Sequence, residues 1–130
     1  MTIVTDTSAI LAVILGEPKK EKIKELTLDK KIIGPSSIPW EIGNAFSAMF
    51  KRKRISLKAA NKGYSIFQMI PIRFIDIDMK HALQISFSQK IYAYDAYFLS
   101  CCIKHNGTLL TLDKKLLNEA SNIGVKTLEI

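Results

Sequence analysis

The sequence predicts an α/β fold: a three-layer α/β/α domain whose central parallel sheet has four to five strands. Short β-branched or apolar runs alternate along the chain with helical stretches. The connections are short, and parallel neighbours need crossovers that bury both faces of a sheet. At 130 residues the chain fits one domain, residues 1–130, and such a domain buries roughly two thirds of its unfolded surface, enough for one core. No repeat, low-complexity stretch or Pro/Ser-rich linker marks a boundary.

Ile3-Val4 reads as a strand that breaks at Asp6-Thr7-Ser8, a polar cap before the apolar helix Ala9 to Leu15. Gly16 stops that helix, Pro18 starts the next, and Glu21 to Leu28 places Ile23, Leu26 and Leu28 among charges as a surface helix does. Lys31-Ile32-Ile33 is a second strand closed by Gly34-Pro35. Ser36 or Ser37 then caps a helix through Trp40, Ala45, Phe46, Met49 and Phe50 that ends in Lys51-Arg52-Lys53-Arg54. Ser56 caps a helix to about Met69, which Pro71 terminates. Ile72 to Ile77 alternates as a strand leading to Asp78, the cap of a helix His81 to Ser88. Tyr94 to His105 is a helix ended by Asn106-Gly107, Thr108 to Leu112 a strand, Asp113 to Asn122 a helix, and Val125 to Ile130 a last strand.

The longest apolar stretches, Ala9 to Leu15 and Tyr97 to Ile103, are far short of the ~20 residues of a membrane-spanning helix, so a soluble protein without membrane association is expected. The opening Thr2-Ile3-Val4-Thr5-Asp6 lacks the basic, apolar and small-residue regions of a secretory signal, which predicts a cytoplasmic location. Cys101 and Cys102, the only cysteines, are adjacent and belong to no spaced ligand motif, so packing is their expected role. The net charge of +7 favours polyanions such as nucleic acid, or an acidic protein partner.

Of the twelve acidic residues, most lie in lysine-rich stretches and read as solvated charges. Asp6, Glu41, Asp95 and Asp113 have mostly apolar neighbours instead. Asp6 and Asp113 follow strands, where an open parallel sheet binds its ligands, and Glu41 and Asp95 sit at helix starts. Taken singly, Asp6, Asp95 and Asp113 are equally well read as helix caps. Taken together, carboxylates brought close repel one another unless a cation compensates. Magnesium suits such hard oxygen ligands, whereas zinc would call for histidine or cysteine, and His81 and His105 lack that spacing. In a basic protein, a magnesium site suits phosphodiester hydrolysis with one metal ion or two.

Four fragments in order carry a family likeness: Asp6-Thr7-Ser8 after the first strand; Trp40-Glu41-Ile42-Gly43-Asn44-Ala45; Tyr94-Asp95-Ala96-Tyr97; and Leu110-Thr111-Leu112-Asp113. In them the chain resembles, over nearly its whole length, the PIN-domain nucleases and among these the VapC-like toxins of toxin–antitoxin pairs. The resemblance implies metal-dependent endoribonuclease activity on RNA, a magnesium ion with manganese as a substitute, a homodimer and a cognate antitoxin. By position it implies Asp6, Glu41, Asp95 and Asp113 as catalytic and metal-binding acids, with Asp6 and Asp95 as direct ligands and Glu41 and Asp113 partly acting through water. Ser8, Asn44 and Thr111 match supporting polar positions, for which local caps or helix contacts are the alternative. The helix after Asp95 departs from the family's alanine-rich habit with Phe98, Leu99 and Ser100-Cys101-Cys102.

Two other readings stay open. One keeps the site for RNA processing or DNA cleavage; the other is a non-catalytic phospho-receiver-like module, since fold alone assigns no function. Lys51 to Arg54 reads first as a helix C-terminus that complements the dipole and second as an RNA track. Trp40 and Tyr94 are expected to pack in the core, with base stacking as the alternative. Asp78 is expected to be an N-cap and Asp76 to face solvent or a salt bridge.

Overall fold

In the computed structural model, which describes residues 1–130, the β-branched start of the chain forms β1 (Thr2–Thr5), and the apolar stretch after it forms α1 (Thr7–Ile14). There follow α2 (Lys20–Thr27), β2 (Lys31–Pro35), α3 (Ile38–Lys51), α4 (Leu57–Met69), β3 (Arg73–Ile75), α5 (Met79–Gln89), α6 (Ala93–His105), β4 (Thr108–Leu110), α7 (Lys114–Asn122) and β5 (Thr127–Leu128). The five strands make one sheet in the order β3-β2-β1-β4-β5, and every pairing is parallel. Helices cover both faces, giving the three-layer α/β/α architecture the sequence predicts. No helix is long and apolar enough to cross a membrane.

Side-chain alternation along β1 and β4 divides the core. Register pairs Val4 with Ile33 and Leu109, and all three join the larger core with α6 residues Ala96 and Leu99. Ile3 and Leu110 face the other way, onto Ala9 and Ala12 of α1 and Ile23 of α2. Ile3, Val4, Leu109 and Leu110 are fully buried, so each contributes roughly 1.5–3 kcal/mol by leaving water. Cys101 and Cys102 are free and buried in the larger core, as packing residues should be. Burial pushes the Cys101 thiol up to about 11 and raises Cys102 as well, so both stay protonated.

Three strands are shorter than their sequence patterns, for identifiable reasons. β3 stops at Ile75 because its only neighbour, β2, ends at Pro35 before the chain turns into α3; the last bond of the pair runs from the Ser36 N–H to the Ile75 carbonyl. β4 stops at Leu110 because the next residues turn their polar groups inward: the Leu112 N–H donates to the Ser8 hydroxyl, and the Asp113 N–H to that of Thr111. β5 pairs only across Thr127–Leu128, opposite the shortened β4. Capping departs from expectation at two helices: Asp95 lies inside the first turn of α6 instead of capping it, the N-cap position falling to Tyr92, and at α3 the serine is turned to another task. Ser37 holds the N-cap position of α3 but makes no side-chain cap bond; its hydroxyl donates to Glu41 Oε2 at 2.8 Å. Ser56 and Asp78 cap α4 and α5 as predicted, accepting from Ala59 at 3.1 Å and His81 at 3.1 Å.

The turn into β4 depends on two residues with different tasks. Asn106 takes the left-handed conformation that ends α6, at φ 49°. Gly107 follows because a Cβ there would sit 2.6 Å from Val4 Cγ2, inside the core of the central strand. Gly107→Ala is therefore expected to destabilise the fold by about 1–3 kcal/mol through overpacking. Urea unfolding checks this: the midpoint should fall while the slope stays constant.

Candidate active site

The strand order reverses direction between β1 and β4, and in an open parallel sheet the crevice outside the C-terminal ends of such a pair is where ligands bind. Asp6 immediately follows β1 there, and Thr111 immediately follows β4. Asp6 is only 4% exposed, so its carboxylate needs partners from the protein. It caps α1 by accepting the Ala9 N–H at 3.0 Å. The Ser8 hydroxyl lies 2.8 and 2.9 Å from its two oxygens, and Thr111 Oγ1 donates to Oδ2 at 2.5 Å. Burial raises the pKa of Asp6 above the ordinary value, opposed by the bonds from Thr111, Ala9 and Ser8, while the charge of Asp113 raises it further.

Glu41, in the first turn of α3, is held from both sides: Ser37 Oγ donates to Oε2 at 2.8 Å and Thr7 Oγ1 to Oε1 at 3.2 Å. Burial pushes its pKa up to about 7 against those two bonds, and the charges of Asp6 and Asp95 add to the rise. Asp95 lies in the first turn of α6 and Asp113 caps α7, accepting from Lys115 N–H at 2.9 Å and Leu116 N–H at 3.3 Å. Asp95 is ion-paired with Lys115 Nζ at 3.2 Å. The four acids named from the sequence thus lie at one end of the sheet, close enough for their charges to act on one another. No three His, Cys, Asp or Glu side chains are already gathered as a metal-ligand group in this arrangement.

Of the supporting residues, Ser8 and Thr111 do more than local capping, since together they tie the ends of β1 and β4 to Asp6. Asn44 is solvent-exposed and outside this network. Asp78 caps α5 and pairs with Lys104 at 2.5 Å, away from the four acids, and Asp76 is exposed, both as expected. Trp40 and Tyr94 do not pack in the core: Trp40 is 76% and Tyr94 55% exposed. Both lie at helix starts, where the adjacent carboxylate takes the inward position and the ring is left outside.

The sequence reading missed Glu119. It sits on α7, buried, with neither carboxylate oxygen hydrogen-bonded and Lys115 Nζ 3.6 Å away. Burial pushes its pKa up to about 7, the nearby Asp95 adds to the rise, and Lys115 opposes it. Its signal was positional: three residues after Leu116 and beside Ala120, it falls on the buried stripe of a helix whose charged residues otherwise look solvated.

Raised pKa values carry a definite sign for stability. A carboxyl that binds its proton more tightly when folded contributes stability that is complete below its unfolded pKa and is lost as pH climbs through the folded one. For Glu41 that window runs from 4.5 to about 7, and the loss is at most about 3 kcal/mol. Glu41→Gln should therefore melt higher than the unaltered protein at pH 8 by about 3–8 °C and nearly equally at pH 4.5. Thermal melts at the two pH values in a chelating buffer test this; equal shifts at both would contradict it.

The family model for the PIN domain matches residues 3–121. No curated protein matches the chain. Among solved structures, a protein of Pyrobaculum aerophilum superposes with a TM-score of 0.72 at 19% identity, covering 98% of this chain and 83% of that one. VapBC2 of Rickettsia felis, bound to a DNA fragment from its promoter, gives 0.72 at 18% identity and covers 98% of both chains. VapC20 of Mycobacterium tuberculosis, described as a sarcin-ricin loop cleaving toxin, gives 0.66 at 17% identity and again covers 98% of both. At these identities the superpositions speak for the fold, and they agree with the family model, which spans nearly the whole sequence: the chain belongs to the PIN domain family.

Proposed function

We propose that the protein is a magnesium-dependent endoribonuclease, the toxin of a toxin–antitoxin pair. The observation that carries this reading is Asp6: a buried carboxylate at the switch point of the sheet, oriented by Ser8 and Thr111, with Glu41 and Asp113 within electrostatic reach. Structural relatives include a sarcin-ricin loop cleaving toxin and a VapBC protein, which supports a toxin's nuclease role and an antitoxin as partner.

The donor set suits a hard divalent cation. All candidate ligands are carboxylate oxygens, and the two oxygens of Glu119 are buried without a hydrogen bond. Asp6 and Asp95 would hold magnesium, or manganese in its place, with Glu41 and Asp113 acting partly through water. Such an ion supplies Lewis acidity to an attacking water and offsets charge on the leaving oxygen of a phosphodiester. The protein's own residues orient and compensate. Ser8 and Thr111 fix both oxygens of Asp6, Ser37 and Thr7 aim Glu41, and Lys115 neutralises Asp95 while remaining exposed enough to meet a phosphate.

Two surfaces support the proposed partners. A cavity of about 680 Å³ between α1, α2 and α4, lined by Ile10, Val13, Ile23, Ile66, Met69 and Ile72, contains none of the four acids and suits an apolar segment of an antitoxin. On α5, Met79, Leu83 and Phe87 are exposed four residues apart on one face, a stripe that a second copy would cover in a homodimer.

Purified protein should cleave unpaired RNA in magnesium and lose the activity in EDTA. Asp6→Asn should lower the rate by about 100-fold or more, and it should also lose the rise in melting temperature that magnesium gives the unaltered protein. Equal cleavage by Asp6→Asn and the unaltered protein, with contaminating nuclease excluded, would remove the assignment.

A further inference from the structure

Three aromatic side chains stand in solvent beside the acids: Trp40 is 76%, Tyr92 77% and Tyr94 55% exposed. Single exposed apolar residues are common and carry little meaning. These three are placed differently. Trp40 precedes Glu41 at the start of α3, while Tyr92 and Tyr94 bracket the start of α6, where Asp95 lies in the first turn. Two separate helix starts thus offer a carboxylate inward and an aromatic ring outward.

Tyr92 has a further feature. The ammonium of Lys115 lies 4.9 Å from its ring centroid and 3.2 Å from Asp95 Oδ2. One cation therefore links the exposed ring to the candidate catalytic carboxylate, and its side chain is 58% exposed. Tyr94 is braced by an edge contact with Tyr97, with centroids 5.5 Å apart, so its ring is held without being covered. Tyr92 and Tyr94, each held by a neighbour yet largely uncovered, with a cation beside Tyr92, match the needs of an unpaired nucleotide: a π face for the base and a positive charge for its phosphate, and the exposed Trp40 offers a further face. The overall charge of +7 offsets the repulsion that the acids alone would impose on a polyanion.

Resting on the nuclease reading above, we propose that Tyr92 and Trp40, assisted by Tyr94 and Lys115, form a base-stacking platform around the carboxylates that selects unpaired RNA and positions it for cleavage. A duplex hides its base faces inside its own stack and gives these rings nothing to contact. Tyr92 and Trp40 are specificity residues on this account, acting on the strand beside the scissile bond.

Trp40 is the only tryptophan, so its emission reports directly on the platform. In an Asp6→Asn background, which prevents turnover, a short oligouridylate should quench that emission, and a duplex of equal length should not. Tyr92→Leu should weaken oligouridylate binding by about 5- to 150-fold and leave duplex binding unchanged, while Tyr92→Phe, which keeps the ring, should bind as the parent does. Tyr92 is exposed and makes no side-chain cap bond to α6, so the substitutions should fold normally, and a thermal melt verifies this. Binding by Tyr92→Leu equal to the parent, or equal quenching by strand and duplex, would overturn the platform. The two readings fail separately. Cleavage that survives Asp6→Asn removes the nuclease assignment while oligouridylate quenching still upholds the platform, and Asp6-dependent cleavage with no effect of Tyr92→Leu does the reverse.

Discussion

A carboxylate cannot be taken out of water unless something replaces the water, and at Asp6 the replacement is the hydroxyl of Thr111. That single oxygen donates to Asp6 Oδ2 and accepts the N–H of Asp113. It therefore joins the residue after β1 to the residue that caps α7, through the residue that leaves β4. Ser8 repeats the pattern, approaching Asp6 with its proton and accepting the Leu112 N–H. An isolated buried charge would cost several kcal/mol, and these hydroxyls keep the cost within what the sheet core can sustain. They also end β4 early, because backbone groups that would have extended the ladder are turned towards the site.

Around that anchor the molecule accumulates negative charge faster than it neutralises it. Asp6, Glu41 and Glu119 all hold their protons above the ordinary range, and in each case burial is the largest cause. Lys115 is the one cation in direct contact with the group, paired with Asp95 and near Glu119. It cannot serve every oxygen: both oxygens of Glu119 stay without a hydrogen bond. A site in this condition gains from anything that brings positive charge, whether protons at low pH or a divalent cation at neutral pH, and the two compete for the same oxygens.

The fold was largely legible because its signals were local. Gly16 ends α1 at a positive φ of 67°, Ser56 and Asp78 cap their helices, and Asn106-Gly107 ends α6 as a left-handed residue followed by one that must lack a side chain. Strand ends were less legible, because they depend on neighbours distant in sequence: β3 stops where its only neighbour β2 ends, and β4 where the site recruits its backbone. The site shows the same division. Asp6 and Asp113 stood out after apolar strands. Glu119 did not, since the polar residues around it concealed that it lies on the buried side of α7. Trp40 and Tyr94 misled in the opposite sense, because apolar type suggested burial although the adjacent carboxylate had taken the inward position.

Buried acids and exposed rings are opposite departures from ordinary partitioning, and both are found at the same end of the sheet. Each lowers stability: a carboxylate loses hydration that hydrogen bonds only partly replace, and an uncovered aromatic forfeits the roughly 1.5–3 kcal/mol that burial would supply. The centre of the sheet obeys the usual rules, with Ile3, Val4, Leu109 and Leu110 sealed in the two central strands, while other apolar side chains stand exposed on the helices, Met79, Leu83 and Phe87 of α5 among them. What sets this end of the sheet apart is that exposed rings stand directly beside buried acids. The apolar centre of the same two strands provides the surplus that makes this combination tolerable where β1 and β4 diverge.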